Sequence, residues 1–396
     1  MRIVHTSDWH LGRTLHGVDL LDAQAAYLDH LVALVREESV DLVVVAGDVY
    51  DRAVPPVEAV ALLADALARL AETAEVVLTP GNHDSAVRLG FGARLMRPSL
   101  HLRATVGDVG VPVVLEDEHG PVLVHALPYL DPDSVRHALA TGHAAGEVVP
   151  LPRSHEAVMS AAMGRVRGDL AARAGSGRRP RALVMAHAFV LGGQGSDSER
   201  DIRVGGVDSV PAGVFDGVDY VALGHLHGAQ RLAAGPGPGP APVLQYSGSP
   251  LAYSFSERNH RKVSVLLTLG PEGVDGEPEL VPAPVPRRLT QLEGRLEEVL
   301  ARSEHRADWV KAVITDAARP ADLVPRVHAA FPHALVVEHH PAARESVRLA
   351  AVTASHDPLE VTAEFVEHVT GAPPDEAERA VLRRAYESVQ ADGRSD

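Results

Sequence analysis

The sequence predicts an α/β fold of layered strands and helices, and three observations carry that prediction. Apolar runs of strand length recur, each ending in polar residues: "RIVHTSD" (2–8), "DLVVVAGD" (41–48), "EVVLTPGNHD" (75–84), "RALVMAH" (181–187) and "DYVALGH" (219–225). The runs are rich in Val with little alternation, the pattern of strands buried on both faces. Helical periodicity fills the intervals, and strands alternating with helices specify a layered α/β arrangement.

After the first strand, Leu21, Leu28, Leu31, Val32 and Val35 share one helical stripe within 19–38, behind Asp19 or Asp22 as a cap. After the second, Pro55 and Pro56 open a helix with Val57, Val60, Leu63, Leu67 and Leu70 at core-facing spacing. "VPVVLED" (111–117) and "PVLVHALPY" (121–129) read as short antiparallel strands, and a third helix follows over 154–173. "AAGPGPGPAP" (233–242) reads as an exposed loop between strands. "GPEGVDGEPELVPAPVPRR" (270–288) is rich in Pro, Gly and acid and reads as a linker. The expected domains are therefore 1–270, a linker at 271–288, a small α/β domain at 289–350, and terminal helices within 351–396.

The 396 residues, 45% hydrophobic, are enough for one large core plus a smaller one. The chain has no Cys, which excludes disulfides, thiolate zinc sites and Cys nucleophiles. The start "MRIVHTSDWH" lacks the apolar segment of a signal peptide, and no run of about 18 apolar residues occurs. A cytoplasmic chain without membrane attachment is expected. Net charge is −16, which argues against phosphate-rich partners unless bound cations or a partner subunit make the local field positive.

All five runs end in candidate metal ligands: Asp8 and His10, Asp48, Asn82 with His83 and Asp84, His187, and His225 with His227. Functional groups gather at the carboxyl ends of parallel strands, so these residues are expected along one edge of one sheet. Residues i and i+2 of extended backbone point the same way, so Asp8/His10 and His225/His227 would each face a common cavity. Gly47, Gly81 and Gly224 stand just before ligands, where the backbone turns sharply or comes close to an ion. A donor set of Asp, Asn and His without Cys suits Mn²⁺, Fe²⁺, Zn²⁺ or Mg²⁺. Seven such ligands (Asp8, His10, Asp48, Asn82, His187, His225 and His227) are too many for one ion. Two ions about 3.5–4 Å apart and sharing a carboxylate match the two-metal arrangement for phosphoester cleavage. Asp84 is expected to brace His83 by a hydrogen bond. Arg13 and His16 lie in the adjoining "LGRTLHG" loop, "RRPR" (178–181) reads as a solvated loop or a DNA contact, and "GGQGSDSERDIRVGG" (192–206) as a loop shaping substrate access.

In order, D-x-H, G-D-x-x-D, G-N-H-D, a lone His and G-H-x-H resemble the calcineurin-like metallophosphoesterase superfamily. Longer words, "HTSDWHLGRTLHG", "GDVYDRAVPP", "SDSERDIRVGG", "ALGHLHG", "YSGSPLAYSFSE" and "DPLEVTAEFVEHVTG", resemble the bacterial SbcD family of nuclease subunits over nearly the whole chain. The resemblance implies an α/β/β/α sandwich with a smaller C-terminal α/β capping domain and terminal helices. It assigns Asp8, His10, Asp48 and His227 to one metal, and Asp48, Asn82, His187 and His225 to the other, with Mn²⁺ the favoured ion. It makes His83 the general acid or a phosphate contact near the leaving group. Archaeal and eukaryotic relatives carry a second active-site His three residues after the bridging Asp. This chain has Asp51 there, as bacterial members commonly do, in a position to orient a neighbouring ligand. The implied activity is double-strand exonuclease and single-strand or hairpin endonuclease in DNA repair, replication and recombination. The implied partners are DNA, a second copy of the chain, and an SbcC-type ATPase docked on the last helices, together a heterotetramer. The rival expectation is a small-molecule or cyclic-nucleotide phosphodiesterase of the same superfamily, which the acidic charge favours.

Overall fold

The computed structural model describes residues 1–141, 143–144, 147–174, 179–202, 209–235, 241–341 and 358–392. The centre of the Gly/Pro loop (236–240), residues 203–206 of the access loop, Arg178 of the basic cluster and residues 342–357 lie outside them. The chain forms two compact units, Met1–His340 and Pro341–Asp396.

In the first unit the principal elements are β1 (Arg2–Thr6), α1 (Leu21–Glu37), β2 (Leu42–Ala46), α2 (Val57–Leu70), β3 (Glu75–Thr79), β4 (Leu100–Leu102), β5 (Val113–Asp117), β6 (Gly120–Ala126), α3 (His155–Ala174), β7 (Arg181–His187), β8 (Tyr220–Gly224), β9 (Gln230–Leu232), β10 (Val243–Tyr246), β11 (Val263–Gly270) and β12 (Gly273–Pro282). They build two six-stranded sheets, in the orders β12-β11-β1-β2-β3-β4 and β9-β10-β8-β7-β6-β5. β1, β2, β3 and β4 run parallel, as do β6, β7, β8 and β10, whereas β11 and β12 of the first sheet and β5 and β9 of the second pair antiparallel.

Alternation within the strands sets the layers. Ile3, Leu42, Val44 and Val77 of one sheet meet Val122, Val124, Leu183, Met185 and Ala222 of the other in a shared buried core. Val4, Val43, Val45, Val76 and Leu78 turn outward onto α1 and α2. Leu123, Ala182, Val184, Val221 and Leu223 turn outward onto α3. The result is a four-layer α/β/β/α sandwich whose central strands are apolar on both faces.

Three expectations need correction here. The ligand-bearing strands do not belong to one sheet: β1, β2 and β3 lie in the first and β7 and β8 in the second. Parallel runs looked alike in sequence because both sheets are covered on both faces. Val57 and Val60 of α2 are exposed, and the buried stripe is Ala59, Leu63, Ala66, Leu67 and Leu70. The segment read as a linker contains β12, which pairs with β11 from Val263↔Pro282 to Gly270↔Gly273. Proline, which has no N–H to donate, is tolerated at such a sheet edge, and the register shifts between Leu266 and Thr268 opposite it.

A small parallel sheet completes this unit: β13 (Leu289–Gly294), β14 (Trp309–Ile314) and β15 (Ala334–His339), with α4 (Leu296–Leu300) and α5 (Leu323–Ala330) between. Leu292, Val299, Val310, Ala312, Val327 and Phe331 form its core. In the second unit, α6 (Pro358–Thr370) and α7 (Glu376–Asp392) pack on each other and leave Phe365, Val369 and Val381 exposed. No helix among the described residues is long and apolar enough to cross a membrane.

Candidate metal centre

The carboxyl ends of β1, β2, β3, β7 and β8 converge at one end of the sandwich, and the loops leaving them carry the candidate ligands. Those loops are not extended. Asp8 (φ 54°), His10 (φ 46°), Asp48 (φ 49°) and His225 (φ 104°) all occupy positive φ, where a side chain is strained and the surrounding structure must compensate. Asp8 and His10 therefore meet across a tight turn and not along extended backbone. Hydrogen bonds hold the turns: Asp8 N–H donates to Gly47 O (3.0 Å), His10 N–H to Asp48 O (3.0 Å) and His225 N–H to Asp8 Oδ1 (3.0 Å). Glycine is required at two of the close approaches. A side chain at Gly81 would overlap the Asp48 carboxylate, and one at Gly224 would overlap Ala46 O in the other sheet.

Asp48 Oδ2 stands at the middle of the cluster. It is 3.5 Å from His187 Nε2, 3.6 Å from His10 Nε2 and 3.8 Å from His83 Nε2. Its other oxygen accepts from His83 N–H at 2.8 Å. On one side, His10 Nε2 faces His227 Nε2 at 3.1 Å. On the other, Asn82 Oδ1 lies 2.9 Å from His187 Nε2 and 3.3 Å from His225 Nδ1. Among the described residues, three trios bring one ligand atom each within 4.8 Å of one another: Asp8/His10/His227, His10/Asp48/His83 and Asp8/Asp48/His187.

The histidines are oriented from behind. His187 Nδ1 lies 3.0 Å from Ala46 O and His83 Nδ1 2.8 Å from Asp51 O. A carbonyl can only accept, so each Nδ1 carries a proton, which fixes each ring with its Nε2 facing Asp48. Two buried imidazole nitrogens 3.1 Å apart, a fully buried Asp8 and a nearly buried Asp48 make a donor set that a hard or borderline dication satisfies. Burial pushes Asp8 up to about 6 and His225 down to about 3, and holds His10 well below its ordinary value. Burial alone would raise Asp48, but its three histidine neighbours hold it well below the carboxylate range. The residues therefore fit divalent cations.

Other expected residues fall as follows. Asp84 does not brace His83. Its carboxylate accepts from Val49, Tyr50 and Gly81 N–H (2.9–3.0 Å), so it holds the turn that presents Asp48, and burial with the Asp48 charge pushes it up to about 7. Asp51 reaches 3.7 Å from His10 Nδ1 and 3.6 Å from Arg13 Nε. The Arg13 guanidinium sits 4.9 Å above the Tyr253 ring and donates to Ser198 O at 3.0 Å. His16 is exposed beside Phe255. In the basic cluster, Arg179 pairs with Asp219 and buried Arg181 with Asp117, so both are structural. The sequence reading missed Ser198, Arg200, Glu257 and Lys262. Arg200 Nη1 donates to Asn82 O at 3.3 Å. Glu257 and Lys262 lie buried behind His227.

Known proteins provide two family matches and a set of structural neighbours. A calcineurin-like phosphoesterase family model matches residues 1–229. The SbcD_C model, described as the type 5 capsule protein repressor C-terminal domain, matches residues 285–370. Similar solved structures include TT1561 of Thermus thermophilus (14% identity, 70% of this chain and 98% of that one, TM-score 0.37). A dimetal phosphatase from Danio rerio is 13% identical over 72% of this chain and 99% of its own, with a TM-score of 0.40. GAP50, the anchor in the inner membrane complex of Plasmodium, is 9% identical over 88% and 99%, with a TM-score of 0.39.

Proposed function

The chain belongs to the calcineurin-like phosphoesterase family, and from that premise we propose that it is a metal-dependent DNA nuclease working with an SbcC-type ATPase. The observation that carries the phosphoesterase part is Asp48 Oδ2 lying within 3.8 Å of three imidazole nitrogens. In this reading Asp8, His10, Asp48 and His227 hold one cation, and Asp48, Asn82, His187 and His225 hold the second, with Asp48 shared. Bound cations supply electrostatic stabilisation of the charge that develops on the phosphoryl oxygens. The chain's own groups do the rest. His83 turns Nε2 toward the cluster and delivers a proton to the departing 3′-oxygen. Arg13, whose buried Nη1 has no hydrogen-bond partner among the described residues, and exposed Arg200 meet the flanking phosphates.

The match of residues 285–370 to SbcD_C supports the nuclease over other phosphoesterases. The exposed Phe365 and Val369 of α6 supply an apolar face for the ATPase. The net charge of −16 favours a small-molecule phosphodiesterase as the second reading. Incubation with labelled hairpin DNA and with a cyclic nucleotide, each with Mn²⁺, separates the two, with Asp48→Ala as control. The nuclease reading predicts hairpin cleavage that the ATPase subunit stimulates and that the variant abolishes. Turnover of the cyclic nucleotide alone would replace it with the second reading.

A further inference from the structure

His227 is fixed by a buried polar chain built from Ser198, Glu257 and Lys262. Glu257 has a fully buried side chain and pairs with the buried Lys262 ammonium. Lys262 Nζ also donates to Ser249 Oγ (2.8 Å) and to His227 O (3.0 Å). Glu257 Oε1 accepts from Ser198 Oγ at 2.5 Å and from Tyr253 N–H at 3.0 Å, and lies 3.3 Å from His227 Nδ1. Ser198 Oγ is 2.7 Å from the same Nδ1.

The order of donors follows from these contacts. A carboxylate paired with an ammonium has no proton to give, so the Ser198 hydroxyl proton is committed to Glu257. Ser198 Oγ then has only lone pairs to offer His227, and Nδ1 must carry the proton. Nε2 is left bare, facing His10 Nε2 at 3.1 Å. Ser198 belongs to the loop that follows β7, whose Glu199 also accepts from His227 N–H at 2.8 Å. Loop and ligand therefore share one anchor.

We propose that Glu257 is a positioning residue that sets the tautomer of His227 through Ser198, readying Nε2 as a metal ligand and docking the Ser198 loop against it. The inference rests on the dimetal reading above. A buried Glu–Lys pair with a purely structural role would hold the fold without affecting ion affinity. Calorimetric titration of the full chain with Mn²⁺ separates these possibilities. Ser198→Ala and Glu257→Gln are each expected to weaken one of the two ions about 10–100-fold and leave the other unchanged. Ser198→Thr keeps the hydroxyl and is expected to restore wild-type affinity. Glu257→Gln strands a buried ammonium and endangers the fold, so Ser198→Ala, which strands no charge, carries the test independently. Two ions bound by the wild type, with Ser198→Ala unchanged or Ser198→Thr as weak as alanine, would sink this inference alone. A wild type that binds fewer than two ions would sink the dimetal reading with it.

Discussion

The His83 ring is locked by its Nδ1 contact to Asp51 O and stands edge-on to His10, with ring centroids 4.6 Å apart. Burial lowers its proton affinity, and the Asp48 carboxylate opposes that effect. A group in this position matters most when the leaving oxygen is a poor one. His83→Ala is therefore expected to slow DNA cleavage about 10²–10⁴-fold. Hydrolysis of a nitrophenyl phosphodiester, whose leaving group needs no proton, should fall much less. Equal losses on both substrates would remove the acid role and leave His83 as a structural residue. At this scale the sequence was most informative where ligand types followed apolar runs directly, as at Asp8, Asp48 and Asn82. It gave no individual role to Glu257, which acts through Ser198, 59 residues away, or to Arg200, because contacts made only in space leave no local pattern. For Asp84 it named His83 as partner, whereas the carboxylate accepts from the Val49, Tyr50 and Gly81 N–H groups, since a short acidic side chain satisfies any nearby N–H.

Strand β1 lies inside the first sheet, and its His5 reaches the second sheet with a polar contact. Nδ1 meets Tyr220 OH of β8 at 2.9 Å, fully buried. Burial pushes His5 down to about 3, and His125 of β6 down to about 4 against the pull of Asp169. The unfolded chain takes up both protons below about 6.5, whereas the folded chain refuses them until the lowered values are reached. The unfolded state thus binds more protons across that interval, and stability falls as pH drops through it. Each histidine costs up to about 1.4 kcal/mol per pH unit. His5→Asn is expected to reduce the loss of unfolding free energy between pH 7.5 and 4.5; an unchanged loss would show that His5 titrates normally in the folded state. Elements themselves were legible where periodicity was long, as in α1 and α3. They were misread where composition misled: β12 hides its pairing behind edge prolines. The Val57 and Val60 positions of α2 show that apolar spacing marks a face without saying what covers it.

Across the whole molecule, two sheets pressed face to face bring five loops to one end, and charges that no single element could bury are collected there. Sequence reading reached the layered class because the five runs share one signature. It could not reach the division into two sheets, since strands covered on both faces look alike wherever they pair. The chain's acidity is distributed over 53 Asp and Glu against 37 Lys and Arg, so the site owes any attraction for phosphate to its cations and not to the global field. The most direct measurement is elemental analysis of the full chain, saturated with Mn²⁺ and freed of excess ion, beside Asp48→Ala. The account predicts two manganese ions per wild-type chain and a clear loss in the variant. One ion or none in the wild type, or two retained without the Asp48 carboxylate, would contradict it.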